Sequence, residues 1–311
     1  MKKIILTLGI LLAGILVCKA QDVTKYYTVS NINAISAGYC FNIDISEGTS
    51  EKIEITAPAK TAECLIVRKK DGMLVLDLDW SKAPKKHSKD GKGNNSYRMT
   101  NGNKVLYGPI YVTMQASDLE KLKLSGAAKL KANGSFGGGA LELRLSGAAK
   151  AEDITTAAKS LDVDLSGASK ASISGVFEKM DVDLSGASKL CGKGSFVKGK
   201  FSLSGASVLE MEGEKDLGAI DADLSGSTKI TASGKVEEVK LEVSGAGRAN
   251  FENLKAQVVK VELSGASKAQ VIAEKALKAS ISGASKLEYK YTGDIQNLDI
   301  QKSGSSKAVS F

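Results

Sequence analysis

Apolar and polar residues alternate along most of this chain, and one short segment interrupts the alternation at nearly equal intervals. Apolar residues pair at Leu122 and Leu124, Leu143 and Leu145, Val163 and Leu165, Val182 and Leu184, Phe201 and Leu203, and Val261 and Leu263. Charges fill most of the positions between them, as at Asp221/Asp223 and Lys240/Glu242. A period of two predicts strands with one face inward and one outward. Each stretch then runs into Ser-Gly, a small pair and a cation, as in Leu184-Ser185-Gly186-Ala187-Ser188-Lys189 and Leu263-Ser264-Gly265-Ala266-Ser267-Lys268. The Ser recurs at 125, 146, 166, 185, 204, 225, 244, 264, 282 and 303, in steps of 18 to 21 residues. Self-similarity at a near-fixed step marks a solenoid, whose units bury their apolar faces only on one another. Without an Asn-containing leucine-rich signature or room for long helices, the predicted fold is all-β: a parallel β-helix with coils of about 20 residues.

The Ser-Gly segment reads as the corner between two strands of one coil. Gly reaches positive φ without a side-chain penalty. The residue after it, Ala168 and its counterparts, with Ser at 227 and 305, is small enough to sit inside such a bend. Ser hydroxyls stacked from coil to coil would bond to neighbouring backbone groups or to water.

The first third is less regular. A lead-in strand is expected over residues 21–34, with Tyr26, Tyr27 and Val29, and further strands at Phe41–Ile45, Lys52–Ile55, Leu65–Lys69 and Met73–Leu78, the last two joined by the turn Lys70-Asp71-Gly72. Residues 81–104 carry many lysines and no apolar period, and they predict an exposed, mobile loop. Strand pattern resumes from Val105 to Met114. At the other end Lys302 takes the place held by Leu, Val or Ile in other coils. An inward charge there would block further stacking, leaving the last coil to be closed by Phe311 or by another subunit.

The succession Ile43-Asp44-Ile45-Ser46-Glu47-Gly48, Lys52-Ile53-Glu54-Ile55, Lys70-Asp71-Gly72-Met73-Leu74-Val75-Leu76 and Leu119-Glu120-Lys121-Leu122-Lys123-Leu124-Ser125-Gly126-Ala127 resembles the putative auto-transporter adhesin head GIN domain family. That family occurs on exported proteins of the Bacteroides group. The resemblance spans nearly all of the chain after its leader, implies a right-handed β-helix and adhesion, and supplies no catalytic or binding residues to carry over.

The leader itself is Met1-Lys2-Lys3, an apolar run from Ile4 to Val17, then Cys18-Lys19-Ala20-Gln21. This is a signal-peptide pattern, too short to span a membrane. Cleavage is expected after Ala20, with lipidation at Cys18 as the alternative. The expected organisation is leader 1–20, an N-terminal β region 21–118 containing the basic loop, and the repeat β-helix 119–311. Export to the periplasm or cell surface follows, with no transmembrane segment after processing. Loss of the leader removes three lysines and takes the formal net charge from +8 to +5, too mild to suggest nucleic acid. Cys40, Cys64 and Cys191 remain; the first two could pair in an oxidising compartment. A lone His87 and the absence of Cys-x-x-Cys argue against a zinc site or a Ser-His-Asp triad, and no cofactor is implied.

Two columns of charge carry the candidate chemistry. The cation four residues after each Ser is Lys129, Lys150, Lys170, Lys189, Lys229, Arg248, Lys268, Lys286 and Lys307, broken by Val208. At about 4.8 Å per coil this makes a line of roughly 45 Å. Neighbouring charges at that spacing repel by about 0.9 kcal/mol in water, so the column needs no ligand to exist. It would serve as a track for an acidic polysaccharide or as a solvated face that keeps strand edges apart. Asp162, Asp164, Asp181 and Asp183 form the second column, a weak candidate for Ca²⁺; Glu142, Arg144, Lys200 and Ser202 on the adjoining coils would instead pair with them. The expected function is a non-enzymatic adhesin or envelope binding protein with a polysaccharide or cell-surface ligand. A Ca²⁺-dependent polysaccharide lyase or hydrolase is the alternative, and an envelope assembly component that self-associates through open solenoid ends is another.

Overall fold

The computed structural model describes residues 22–85, 98–292 and 297–311; the leader, Cys18 and His87 lie outside these. Strands make up 69% and helix 2%, arranged as a β-solenoid of about nine turns. The alternation explains the arrangement directly. Leu122, Leu143, Val163, Val182, Phe201, Ala222, Leu241, Val261 and Ala279 lie in one parallel register from coil to coil, and all are buried. Leu124, Leu145, Leu165, Leu184 and Leu203 form a second such column. A shift of one residue would turn every one of these outward, so the pattern itself pins the register.

The corners stack as tightly as the strands. Gly126, Gly147, Gly167, Gly186 and Gly205 all have φ between 66° and 72°, a region that favours glycine. A Cβ on Gly167 or Gly186 would lie 2.6 Å from the carbonyl oxygen of the glycine one coil below. That same oxygen accepts the next residue's N–H: Ala168 donates to Gly147 and Ala187 to Gly167, each at 2.7 Å. The alanine expected inside the bend is in fact exposed, at 168 and 187 alike. The left-handed glycine turns its successor outward, and the following residue points in: Ala128, Ala149, Ser169, Ser188 and Ser207 are buried there. The first Ser behaves as expected at five corners: Ser166, Ser204, Ser225, Ser244 and Ser282 each donate to a leucine carbonyl one coil below, at 3.2–3.5 Å.

The base of the stack departs from chain order. Strands β1 (Asp22–Thr28), β2 (Ala34–Ala37), β3 (Phe41–Glu47) and β4 (Lys52–Pro58) lead to the one-turn helix α1 (Ala59–Ala62). Then come β5 (Leu65–Lys70), β6 (Met73–Leu78), β7 (Arg98–Asn101), β8 (Lys104–Tyr107), β9 (Ile110–Ala116), β10 (Lys121–Leu124) and β11 (Lys129–Asn133). β6 and β9 form the lowest layer, β2 and β3 lie on them, and β10 and β11 lie on β2 and β3, all parallel. β4 pairs antiparallel with β9, and β1 with β4, closing the base. Residues 34–47 are therefore already a coil: Ala37-Gly38-Tyr39-Cys40-Phe41-Asn42 lies in register with Leu124-Ser125-Gly126-Ala127-Ala128-Lys129. Tyr39, with φ 49°, takes the glycine's place.

Leu76 pairs with Ala37, and Ile110 with Phe41. Residues 77–109 thus replace a three-residue corner. Residues 81–104 were expected to be pattern-free loop throughout, but both ends are built. β7 pairs with β8, Ala83 is buried, Trp80 packs on Tyr39 with ring centroids 5.7 Å apart, and Cys40 Sγ donates to Met99 Sδ at 3.4 Å. Arg98-Met99-Thr100-Asn101 carries too little apolar alternation to announce its strand. Cys40 and Cys64 do not pair; both are buried thiols, and Cys64 Sγ donates to Lys60 O at 3.3 Å. Lys302 does take the inward register position, opposite Ile281, but it is exposed on the last coil. Phe311 does not close that coil, since its ring is 55% exposed.

Candidate functional site

The cations expected to align do so. Lys129, Lys150, Lys170 and Lys189 are paired position for position along the stack. The line continues through Val208 to Lys229, Arg248, Lys268, Lys286 and Lys307. Each stands at the first position after a corner. There the inward residue before it, Ala128 or Ser169 for example, forces the lysine outward by simple alternation. Lys129, Lys170, Lys229, Arg248 and Lys307 are exposed, and the other four cations are half-buried.

Neighbouring acids neutralise part of the line. Lys189 Nζ lies 2.8 Å from Glu210, and Lys268 and Lys286 share Glu288 at 3.1 and 2.6 Å. The Lys189 hydrogen bond holds the Glu210 carboxyl below the ordinary glutamate value, and Lys286 and then Lys268 do the same for Glu288. Lys129, Lys150, Lys170, Lys229, Arg248 and Lys307 make no ion pair among the described residues.

On the strand side of the same corners the charge reverses. A shallow groove of about 640 Å³ runs along the first Ser of successive coils, with Asp164, Asp183, Asp223, Glu242 and Glu262 on its wall. The corner therefore divides a cationic line from an acidic groove. Asp162 and Asp164 face Asp181 and Asp183 in register, and Asp181 and Asp183 face Lys200 and Ser202. Lys179 donates to Asp181 at 2.5 Å, and Glu142, paired with Arg144, lies beneath Asp162. Among the described residues no group of three or more His, Cys, Asp or Glu is placed to hold a metal ion. Cys191 is a half-buried thiol raised by desolvation, its Sγ 3.5 Å from Glu210.

The register row that carries the cations extends beyond the repeat motif with uncharged residues. Below Lys129 it passes to Asn42 and then to Tyr111, Thr56 and Thr24. Sequence reasoning missed these four. Asn42 was detectable, since it stands four residues after Gly38 in the degenerate corner. Tyr111, Thr56 and Thr24 were not, because antiparallel and out-of-order pairings bring them there.

Stacked parallel coils with one polar corner repeated along their length define a β-solenoid, a scaffold that meets ligands on extended faces. Within that class, the family described as "Putative auto-transporter adhesin, head GIN domain" matches residues 31–195 and 192–293. The chain belongs to that family. A putative adhesin from Parabacteroides distasonis ATCC 8503 superposes with a TM-score of 0.51 at 16% identity, covering 94% of this chain and 98% of that one. A putative adhesin from Parabacteroides merdae ATCC 43184 gives 0.48 at 16%, covering 94% and 97%. A putative lipid binding protein from Parabacteroides distasonis ATCC 8503 gives 0.46 at 14%, covering 94% and 98%. The first of these supports the fold, and at such identity a shared ligand does not follow. No curated protein matches the sequence.

Proposed function

We propose that this protein is an exported, non-enzymatic adhesin that holds linear acidic polysaccharides along its cation line. The in-register column from Lys129 to Lys307 carries the reading. Coils repeat at about 4.8 Å, close to the length of one pyranose residue in an extended polysaccharide. Carboxylates or sulfates on successive sugars would therefore fall opposite successive cations. Six of the cations make no ion pair among the described residues, and the half-neutralised remainder limits self-repulsion. Membership of an adhesin family supports binding over catalysis, and the leader expected at residues 1–20 supports export.

The test is binding to immobilised uronate and sulfated polymers across a salt titration, with release of shortened or unsaturated products followed in parallel. Each cation engaged by a polyanion adds up to roughly 0.9 to the log–log salt slope. Lys150→Gln, Lys170→Gln and Lys229→Gln together should then lower it by up to about 2.7. An unchanged slope would dismiss the track, and catalytic product release would replace the adhesin with a polysaccharide-active enzyme.

A further inference from the structure

We infer that the cation line ends in a sugar-stacking platform, built on Tyr111 and Tyr26, that takes the neutral pyranose rings of a polysaccharide whose acidic residues lie on the lysines. This rests on the proposed track and extends it to a second ligand chemistry.

The protein is poor in aromatic residues, at 5% of the chain, and most of its described rings are inside or half-buried. Tyr111 and Tyr26 are instead 53% and 47% exposed. Both stand on regular strand rather than on loops. β9 is paired on both edges, with β3 and β4, so the Tyr111 backbone is held firmly. The pairings Thr24 with Thr56, Thr56 with Tyr111, Tyr26 with Glu54 and Glu54 with Thr113 put both rings on one outward face. Two strand spacings and two residues separate them, roughly 12 Å, a span of two to three sugar residues.

The chemistry between the rings suits a sugar better than another protein. A tyrosine offers a flat apolar face with a polar edge at little entropic cost, which matches the axial C–H face of a pyranose. Hydroxyls and an amide fill the space beside it: Thr24 Oγ1 and Thr56 Oγ1 lie 2.8 Å apart, and Asn42 stands between Tyr111 and Lys129 in the row. Glu54 also lies on this face, between the two tyrosine strands, and Asp44 on the next coil. Lys52, two residues from Glu54, and Lys131, opposite Asp44, offset these acids, so this end lacks the net positive charge of the lysine line, while the two carboxylates can accept hydrogen bonds from neutral hydroxyls. Tyr111 continues the row one coil beyond Asn42, and Tyr26 lies two strands further on and two residues to its side, so one extended chain can lie on the lysines and on both rings. The occupant is therefore a heteropolymer with neutral and acidic residues.

The test compares a glucose–glucuronate heteropolymer with the wild-type chain, Tyr26→Ala/Tyr111→Ala, Tyr26→Phe/Tyr111→Phe, and the lysine triple variant. The double alanine variant should lose at least tenfold in affinity while its salt slope stays unchanged, and the phenylalanine pair should retain most binding. These residues are at the surface, so the thermal midpoint reports whether folding is intact. Full affinity in the double alanine variant overturns the platform while leaving the track standing if the lysine variant weakens. Weakening by the alanines with an unaffected lysine variant keeps the platform and removes the track. A wild-type chain that binds uronate polymers but not the heteropolymer removes the platform and leaves the track, and one that binds neither removes both.

Discussion

Replacing Gly186 with alanine tests the stacked corner most directly. The glycine has φ +69°, and a Cβ there would lie 2.6 Å from Gly167 O and 3.1 Å from Gly167 N. An L-residue in this left-handed conformation costs about 1–2 kcal/mol. The contact adds about 1–3 kcal/mol of overpacking, because Gly167 O accepts the Ala187 N–H at 2.7 Å and cannot retreat without loss of that bond. Stiffening of the unfolded chain returns about 0.4–1 kcal/mol. The expected net loss is about 1–5 kcal/mol, a fall in thermal midpoint of roughly 2–20 °C on the scaling that holds for chains of about 150–250 residues. Solenoids can unfold piecewise, so circular dichroism and limited proteolysis should both be followed. Gly138→Ala is the control: its Cβ would meet nothing within 4 Å, and its φ is not left-handed. A Gly186→Ala variant within about 0.5 kcal/mol of wild type would refute the stacked-corner argument, since surface substitutions without such a contact fall in that range.

Leu184→Asp puts a carboxylate where the side chain is 2% exposed; it should cost more than about 4 kcal/mol or prevent folding, and a stable variant would overturn the inward assignment of that column. Ser188→Ala should be neutral or slightly stabilising, as judged by denaturant midpoint. Among the described residues its buried hydroxyl has no hydrogen-bond partner, and Ala149 and Ala128 already fill the same inner position two and three coils away. Acid should weaken the protein through Glu210 and Glu288. Their carboxyls are depressed in the folded state, so their contribution is present above the ordinary glutamate value, about 4.3, and is lost as pH falls through the folded values. Glu288→Gln should flatten the dependence of thermal midpoint on pH below about 4.3. While the fold persists in that range, dextran sulfate should bind more tightly as Lys189, Lys268 and Lys286 are released.

How much could be read in advance depended on where each residue's partners lie in the chain. The partner of Lys170 is Lys189, one repeat later, and the repeat itself announces the spacing. Lys129 to Lys307 could therefore be laid out as a column from their positions alone. The inside of the corner was misassigned by one residue: the choice between Ala187 and Ser188 depends on the φ of Gly186, and both residues are small enough to fit. Cys40 and Cys64 looked available to one another, yet Cys40 is turned to Met99 in the 77–109 insertion and Cys64 to the backbone of Lys60.

Taken alone, the sequence determined the coil, its length, its inward faces and the cation column. Each followed from local alternation and a nearest-neighbour repeat, and in a solenoid nearest neighbours in the chain are nearest neighbours in space. Tertiary structure decided the base and the charge balance. It inverted the order of the first layers, set Tyr111 under Asn42, brought Thr56 and Thr24 into the same row through antiparallel pairing, and chose which lysines meet Glu210 and Glu288. Long-range strand pairing and the reach of flexible side chains across coils settled these features, and neither leaves a period in the sequence.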